Sequence, residues 1–395
     1  MFSGRLTIPE TPNRWALALA EARKRNRACL DLTLSNPTVA EIPYDYDALF
    51  SALVAEDAKF YRPEPLGLFC ARNAVSAYYR SRGLDISPEH IVLTSSTSEG
   101  YSFLTKLLCD PGDIVLVPAP SYPLFDFLFS LDGVEPRHYP LLFDGVGWVI
   151  DTEAIALAVN SEKRVKAIVV INPNNPTGNY LKSGEFEQLL EIVSSRPIAL
   201  ISDEVFSEYP LGKGGKDIVR CAAISARTGL VFSLGGLSKS AGLPQMKASW
   251  MIVGGSEDIV TQALRRLEVI CDTYLSVSTP IQLGIQRFLK ASHIQREAIL
   301  KRINGNLITA HEILDGQAGV RLLEPEGGWY LCLRICGSDG DEELAIRLLD
   351  RGVVVHPGYL YDFSDGNYLV VSLLTPSAGF RKGLEILAET LDFAS

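Results

Sequence analysis

No stretch of this 395-residue chain reaches the ~18 consecutive apolar residues that a membrane-spanning helix needs, and the segment beginning at Met1 has no long apolar core. Neither a membrane anchor nor a secretory leader is expected, and the expected location is the cytoplasm. Positive charge is in deficit: 37 Lys and Arg against 47 Asp and Glu leave a formal net charge of -10, with no basic stripe. Nucleic acid and anionic membrane surfaces are therefore poor partners. The seven cysteines are odd in number, scattered and mostly set in apolar runs, so they read as reduced packing residues. Cys332 and Cys336 lie close together, but no second pair stands at zinc spacing, and no metal site is expected. The chain also lacks Gly-x-x-x-x-Gly-Lys-Ser/Thr and any strand-following Gly-x-Gly-x-x-Gly, which argues against a P-loop and a dinucleotide fold. There is no internal repeat and no low-complexity linker.

What is present suits a large folded protein. An apolar fraction of 47%, with 32 glycines and 22 prolines spread along the chain, is ample for burial. The length calls for two domains, or one large α/β domain with a smaller companion. Residues 231–255 draw the eye first, because two short apolar runs, 231–234 and 250–253, flank a polar loop that holds Lys239. Each run is bounded by a glycine pair and reads as a buried strand. A lone loop lysine is ordinarily a solvated one. Here Ser238-Lys239 is followed eight residues later by a second cation, Lys247, a spacing that suits an amine-bearing site beside an anion.

Other apolar runs end in similarly polar punctuation. The run 91–93 leads into Ser95, Ser96 and Thr97 at the start of a helix, where free backbone N–H groups and hydroxyls can cradle an anion or simply cap the helix. The run 114–117 leads to Tyr122, held between prolines and able either to stack on a flat ring or to cap the core. The run 167–171 leads to Asn-Pro-Asn-Asn-Pro-Thr-Gly at 172–178, whose two Asn-Pro steps hold Asn175 at a strand's C-terminal end, where α/β sheets bind ligands. The run 198–202 ends at Asp203, a carboxylate that is costly at a buried strand end unless paired. Helices are expected over 13–25, 183–194, 256–270, 283–314, 342–351 and 377–393, and a strand over 30–34 before the turn at Ser35.

Taken together, Ser238-Lys239 with Lys247, the Asn-Asn-Pro-Thr-Gly string and Asp203 resemble the signatures of pyridoxal-phosphate-dependent aminotransferases of fold type I, the aspartate aminotransferase-like class I/II. The resemblance implies a three-layer α/β/α large domain on a mostly parallel sheet, plus a smaller α+β domain. It divides the chain into an N-terminal segment, 1–48, joining the small domain, a cofactor domain, 49–285, and a small domain, 286–395. It implies pyridoxal 5'-phosphate held as a Schiff base on Lys239, with Asp203 on the ring nitrogen and Asn175 on the phenolic oxygen. Tyr122 would stack on the ring, while Ser95, Ser96, Thr97, Ser238 and Lys247 would hold the phosphate. Tyr61, which alone reads as a packing residue, would reach the neighbouring site of a homodimer. The implied reaction is ping-pong transfer from an amino acid to a 2-oxo acid, with the freed Lys239 amine as general base.

Several positions depart from that family's pattern. Ser35 and Ser96 stand where glycines are common, Gly236 where a phosphate-binding serine is usual, Lys247 for an arginine and Phe206 for a tyrosine. Val370 occupies the place of the arginine that clamps a substrate carboxylate, which leaves Arg334 as a candidate substitute or implies a substrate with no free carboxylate. Reduced cofactor affinity is expected. Elimination, decarboxylation or oxidation on the same scaffold, and a ligand sensor without catalysis, are the competing readings.

Overall fold

In a computed structural model, residues 2–5, 11–25, 29–337 and 340–392 are described. An eight-stranded sheet forms the centre. Its spatial order is Ile91–Thr94, Ser249–Gly255, Leu230–Gly236, Ala199–Asp203, Val165–Ile171, Ile114–Ala119, Glu135–Phe143 and Trp148–Ile150. Five adjacent strands, from Leu230–Gly236 to Glu135–Phe143, are mutually parallel. Ser249–Gly255 and Trp148–Ile150 run against them.

Both faces of this sheet are buried, which explains the unbroken apolar runs in its strands. Side chains alternate along each strand. Val169 and Ile201 join one core with Phe129 and Leu267, while Ile168 and Leu200 join the other with Ile155 and Leu189. The first face is covered by helices Thr97–Leu108, Phe125–Leu131 and Glu257–Tyr274, the second by Phe69–Arg80, Thr152–Ser161 and Ser183–Ser195. The result is the three-layer arrangement expected above.

A four-stranded antiparallel sheet, in the order Val320–Leu323, Tyr330–Ile335, Asn367–Ser372 and His356–Pro357, makes the smaller unit. Helix Asp341–Asp350 packs on it, helix Ser377–Asp392 packs on Leu30–Asp31 and on His293–Leu314, and Leu30–Asp31 adds a parallel bridge to Val353–Val354.

Three local expectations are revised. The strand over 30–34 is confined to Leu30–Asp31, because the chain turns at 32–33, where the Asp31 carboxylate accepts from Thr33 N at 2.8 Å. The single helix over 283–314 is two, Thr279–Ala291 and His293–Leu314, parted at Ser292, whose hydroxyl donates back to Leu289 O at 2.9 Å. The hairpin of Glu135–Phe143 and Trp148–Ile150 went unread, since Pro136, Arg137, His138 and Pro140 make its first strand look like a loop.

Candidate active site

Along the central sheet the chain reverses its lateral direction between Val165–Ile171 and Ile114–Ala119. From Ile114–Ala119 it proceeds to Glu135–Phe143 on one side, and from Val165–Ile171 to Ala199–Asp203 on the other. Such a reversal opens a crevice at the C-terminal ends of parallel strands. A cavity of ≈ 380 Å³ lies there, within the range of small-molecule sites. Lys239, Asp203, Asn175, Tyr122, Ser96, Thr97, Ser238, Lys247 and Ser35 all line it.

Lys239 sits on the short helix Leu237–Ser240, directly after its strand. Its carbonyl accepts a 2.6 Å hydrogen bond from the Tyr209 hydroxyl, which fixes the root of the side chain. Its amine lies 4.8 Å from the Trp329 ring centre and 5.4 Å from that of Phe206. Burial brings this amine down to about 8, opposed by the nearby Asp203 charge.

Asp203 is 8% exposed. Burial pushes its carboxyl up to about 6, opposed by the Val205 N–H, by the Tyr101 hydroxyl and by the Lys239 charge. The Val205 N–H donates to Oδ1 at 3.2 Å and the Tyr101 hydroxyl to Oδ2 at 3.0 Å. Alternation turns the next residue, Glu204, to the other face, where it accepts from Ala222 N and Ser233 Oγ and so anchors the strand end.

Asn175 is held by the rigid loop before it. Asn174 Nδ2 donates to Pro120 O at 3.1 Å and to Thr177 Oγ1 at 2.7 Å, tying this loop to the one that carries Tyr122. Asn175 Oδ1 is buried and has no hydrogen-bond partner among the described residues. Tyr122 meets Phe125 edge-on at 5.8 Å, and Asp203 adds to the burial that raises its phenol.

At the far end, Ser96 caps helix Thr97–Leu108 by accepting from Glu99 N at 3.1 Å. Lys247 adopts a left-handed backbone with φ 47 and is exposed, with no ion-pair partner among the described residues.

Four expected site residues lie elsewhere. Ser95 is absent from the cavity wall, and the Glu99 carboxylate takes its N–H at 2.7 Å. Tyr61 is 78% exposed and lines a separate cleft with Glu64 and Gln282. Val370 is fully buried between Cys332 and His356 in the small sheet. Arg334 shares the strand face of Tyr330 but lies four residues further along, exposed and opposite Arg321 and Tyr368, and it does not line the cavity.

Residues missed in the sequence include Tyr101, Trp329 and Tyr330. Tyr330 lines the cavity, and its phenol is pushed up to about 12 by burial, with a hydrogen bond to Ser35 opposing. Tyr101 was hidden because its helix position signals only packing, while its partner Asp203 stands 102 residues away.

These residues fit an anionic, aromatic cofactor. A carboxylate made costly by burial suits a cationic ring nitrogen, and an unpaired lysine with a helix start suits a phosphate. Among the described residues no cluster of His, Cys, Asp and Glu forms a metal site, and no helix is long and apolar enough to cross a membrane.

The family description for aminotransferases of class I and II matches residues 47–376. A glutamate-pyruvate aminotransferase, AlaA, of Haemophilus influenzae is 28% identical over 360 residues, covering 87% of this chain and 86% of its own. An LL-diaminopimelate aminotransferase of Dehalococcoides mccartyi is 29% identical over 94% of this chain and 93% of its own. Among solved structures, the alanine aminotransferase of Pyrococcus furiosus superposes with a TM-score of 0.88 at 22% identity, covering 100% of both chains, a likeness of fold.

Proposed function

This chain belongs to the class I and II aminotransferases, and from that premise we propose that it moves an amino group from an amino acid to a 2-oxo acid, both substrates using the one cavity in turn. When bound there, pyridoxal 5'-phosphate supplies the electron sink for this chemistry. Lys239 would hold it covalently through the side-chain amine, and Asp203 would pair with its ring nitrogen. Asn175 would meet its phenolic oxygen and Tyr122 its ring face. Ser96, Thr97, Ser238 and Lys247 would hold the phosphate, with Ser95 behind them.

Between tethered states the Lys239 amine acts as the base that takes the proton from the substrate's Cα. A value of about 8 leaves a useful fraction unprotonated near neutral pH. The Phe206 and Trp329 rings, 5.4 and 4.8 Å from that amine, give it an apolar wall. Ser35, Asn175 and Tyr330 are neutral donors placed for the substrate's carboxylate. The only cations lining the cavity, among the described residues, are Lys239 and Lys247.

The reading divides the chain into a cofactor lobe, 49–285, and a smaller lobe of 286–395 joined by 1–48. It also pairs two copies, with Tyr61 reaching the partner's site.

One observation carries this reading: an amine and a carboxylic acid, each with its charge disfavoured by burial, line one cavity of cofactor size. The relatives' activities make glutamate with pyruvate the first pair to try. Borohydride reduction of the protein with pyridoxal phosphate, followed by peptide mass analysis, is expected to find the adduct on Lys239 and lose it in Lys239→Ala. An unmodified Lys239, or no amino exchange with any amino acid, would overturn the reading.

A further inference from the structure

We propose that Ser249 supplies the hydroxyl that grips the cofactor phosphate, doing so because position 236 has no room for a side chain. The inference rests on the reading of the cavity as a pyridoxal phosphate site. Gly236 and Ser249 face each other across the antiparallel pair Leu230–Gly236 and Ser249–Gly255, and Ser249 pairs on its other side with Thr94. The row Thr94, Ser249, Gly236 therefore crosses three strands beside the helix start at Ser96.

Gly236 has φ 177, an extended backbone open to any residue, so glycine is not required there by conformation. Space requires it. A Cβ at 236 would stand 2.3 Å from Ser249 Oγ and 3.0 Å from Ser249 Cβ. One hydroxyl-bearing side chain fits in this corner, and Ser249 occupies it.

Ser249 is only 2% exposed, yet its hydroxyl has no hydrogen-bond partner among the described residues. The hydroxyl opens onto the cavity and not into the core, so it is free to donate to an acceptor bound there. It lines the same cavity as Ser96, Thr97, Ser98, Ser238 and Lys247, the residues around the phosphate end. Lys247 can offer only a point charge and no fork, which leaves phosphate oxygens for a directed hydroxyl donor.

The test is a fluorescence titration of the cofactor-free protein with pyridoxal phosphate and, separately, with pyridoxal, which lacks the phosphate. Ser249→Ala is expected to weaken pyridoxal phosphate about tenfold, the loss of one hydrogen bond to a charged group, and to leave pyridoxal within about twofold. Gly236→Ser alone is expected to lower the melting temperature, because two side chains contend for one corner. Gly236→Ser combined with Ser249→Gly returns the hydroxyl from the facing strand and is expected to restore affinity to within about threefold.

Unchanged affinity in Ser249→Ala, equal weakening of both ligands, or no recovery in the double variant would each overturn the proposal while the aminotransferase reading stands. Failure of the unaltered protein to bind pyridoxal phosphate at all would overturn both. Should Ser249→Ala not fold, the double variant still decides the matter.

Discussion

Asp203 and Lys239 are each driven toward neutrality by the wall around them, and this sets how the cofactor-free protein responds to pH. The folded-state value of Asp203, about 6, lies above its ordinary 3.8, so its contribution to stability is full below 3.8 and lost as pH rises through 6. Lys239 gives the opposite window: its contribution is full above 10.5 and lost as pH falls through about 8. Asp203→Asn should therefore stabilise the cofactor-free protein at pH 7 by up to roughly 3 kcal/mol. The advantage should vanish as pH falls toward 3.8, and thermal melts across that range check it. The same variant should bind pyridoxal phosphate poorly, so stability and function part company at one residue. Phe206 offers a second residue-scale test. It meets Trp329 edge-on at 5.3 Å and lines the cavity without a hydroxyl. Phe206→Tyr adds one donor and should tighten cofactor binding by a few-fold, about 1 kcal/mol, in an equilibrium titration.

The element that couples the two sheets is the Asn-Pro-Asn-Asn-Pro-Thr-Gly loop. Gly178 has φ +77, and a Cβ there would lie 2.6 Å from Pro325 Cβ and 2.7 Å from Gly327 O. Its own carbonyl accepts from Glu326 N and Gly327 N, just before Trp329 and the strand that begins at Tyr330. Gly178→Ala should thus cost about 2–4 kcal/mol and displace both Asn175 and Trp329, read as a lower melting temperature together with weaker cofactor binding. The loop was legible in the sequence because its chemistry is local: prolines, asparagines and a glycine dictate the turn by themselves. Lys239, Asp203 and Tyr122 were legible for the same reason, each following an apolar run that could only be a buried strand. Tyr101 and Ser249 were not, since what singles them out is a neighbour brought in by strand order. Arg334 was misjudged because it shares the face of Tyr330 yet sits two alternations further along the strand, beyond the cavity. The edge hairpin was missed because half-exposed strands lose the apolar run that betrays their buried counterparts.

At the scale of the whole molecule, Tyr61 at 78% exposure, Phe60 at 48% and Phe69 at 50% stand clear of the cavity. If Tyr61 serves a partner's site, Tyr61→Ala and Lys239→Ala proteins, each impaired alone, should regain activity when mixed and refolded together. The mixed dimer holds one site with an intact lysine and a tyrosine from the other chain. No recovery would show that Tyr61 does not serve a partner's site.

The cavity is also stitched from strand ends far apart in the chain, from Ser96 through Tyr122, Asn175 and Asp203 to Lys239. No fragment bearing two or three of them holds the pocket, so the coenzyme can recognise only a finished sheet. Its yellow colour should therefore be the last signal to return on refolding, trailing the recovery of helical circular dichroism, and the coenzyme should act as a mass-action clamp on the completed fold.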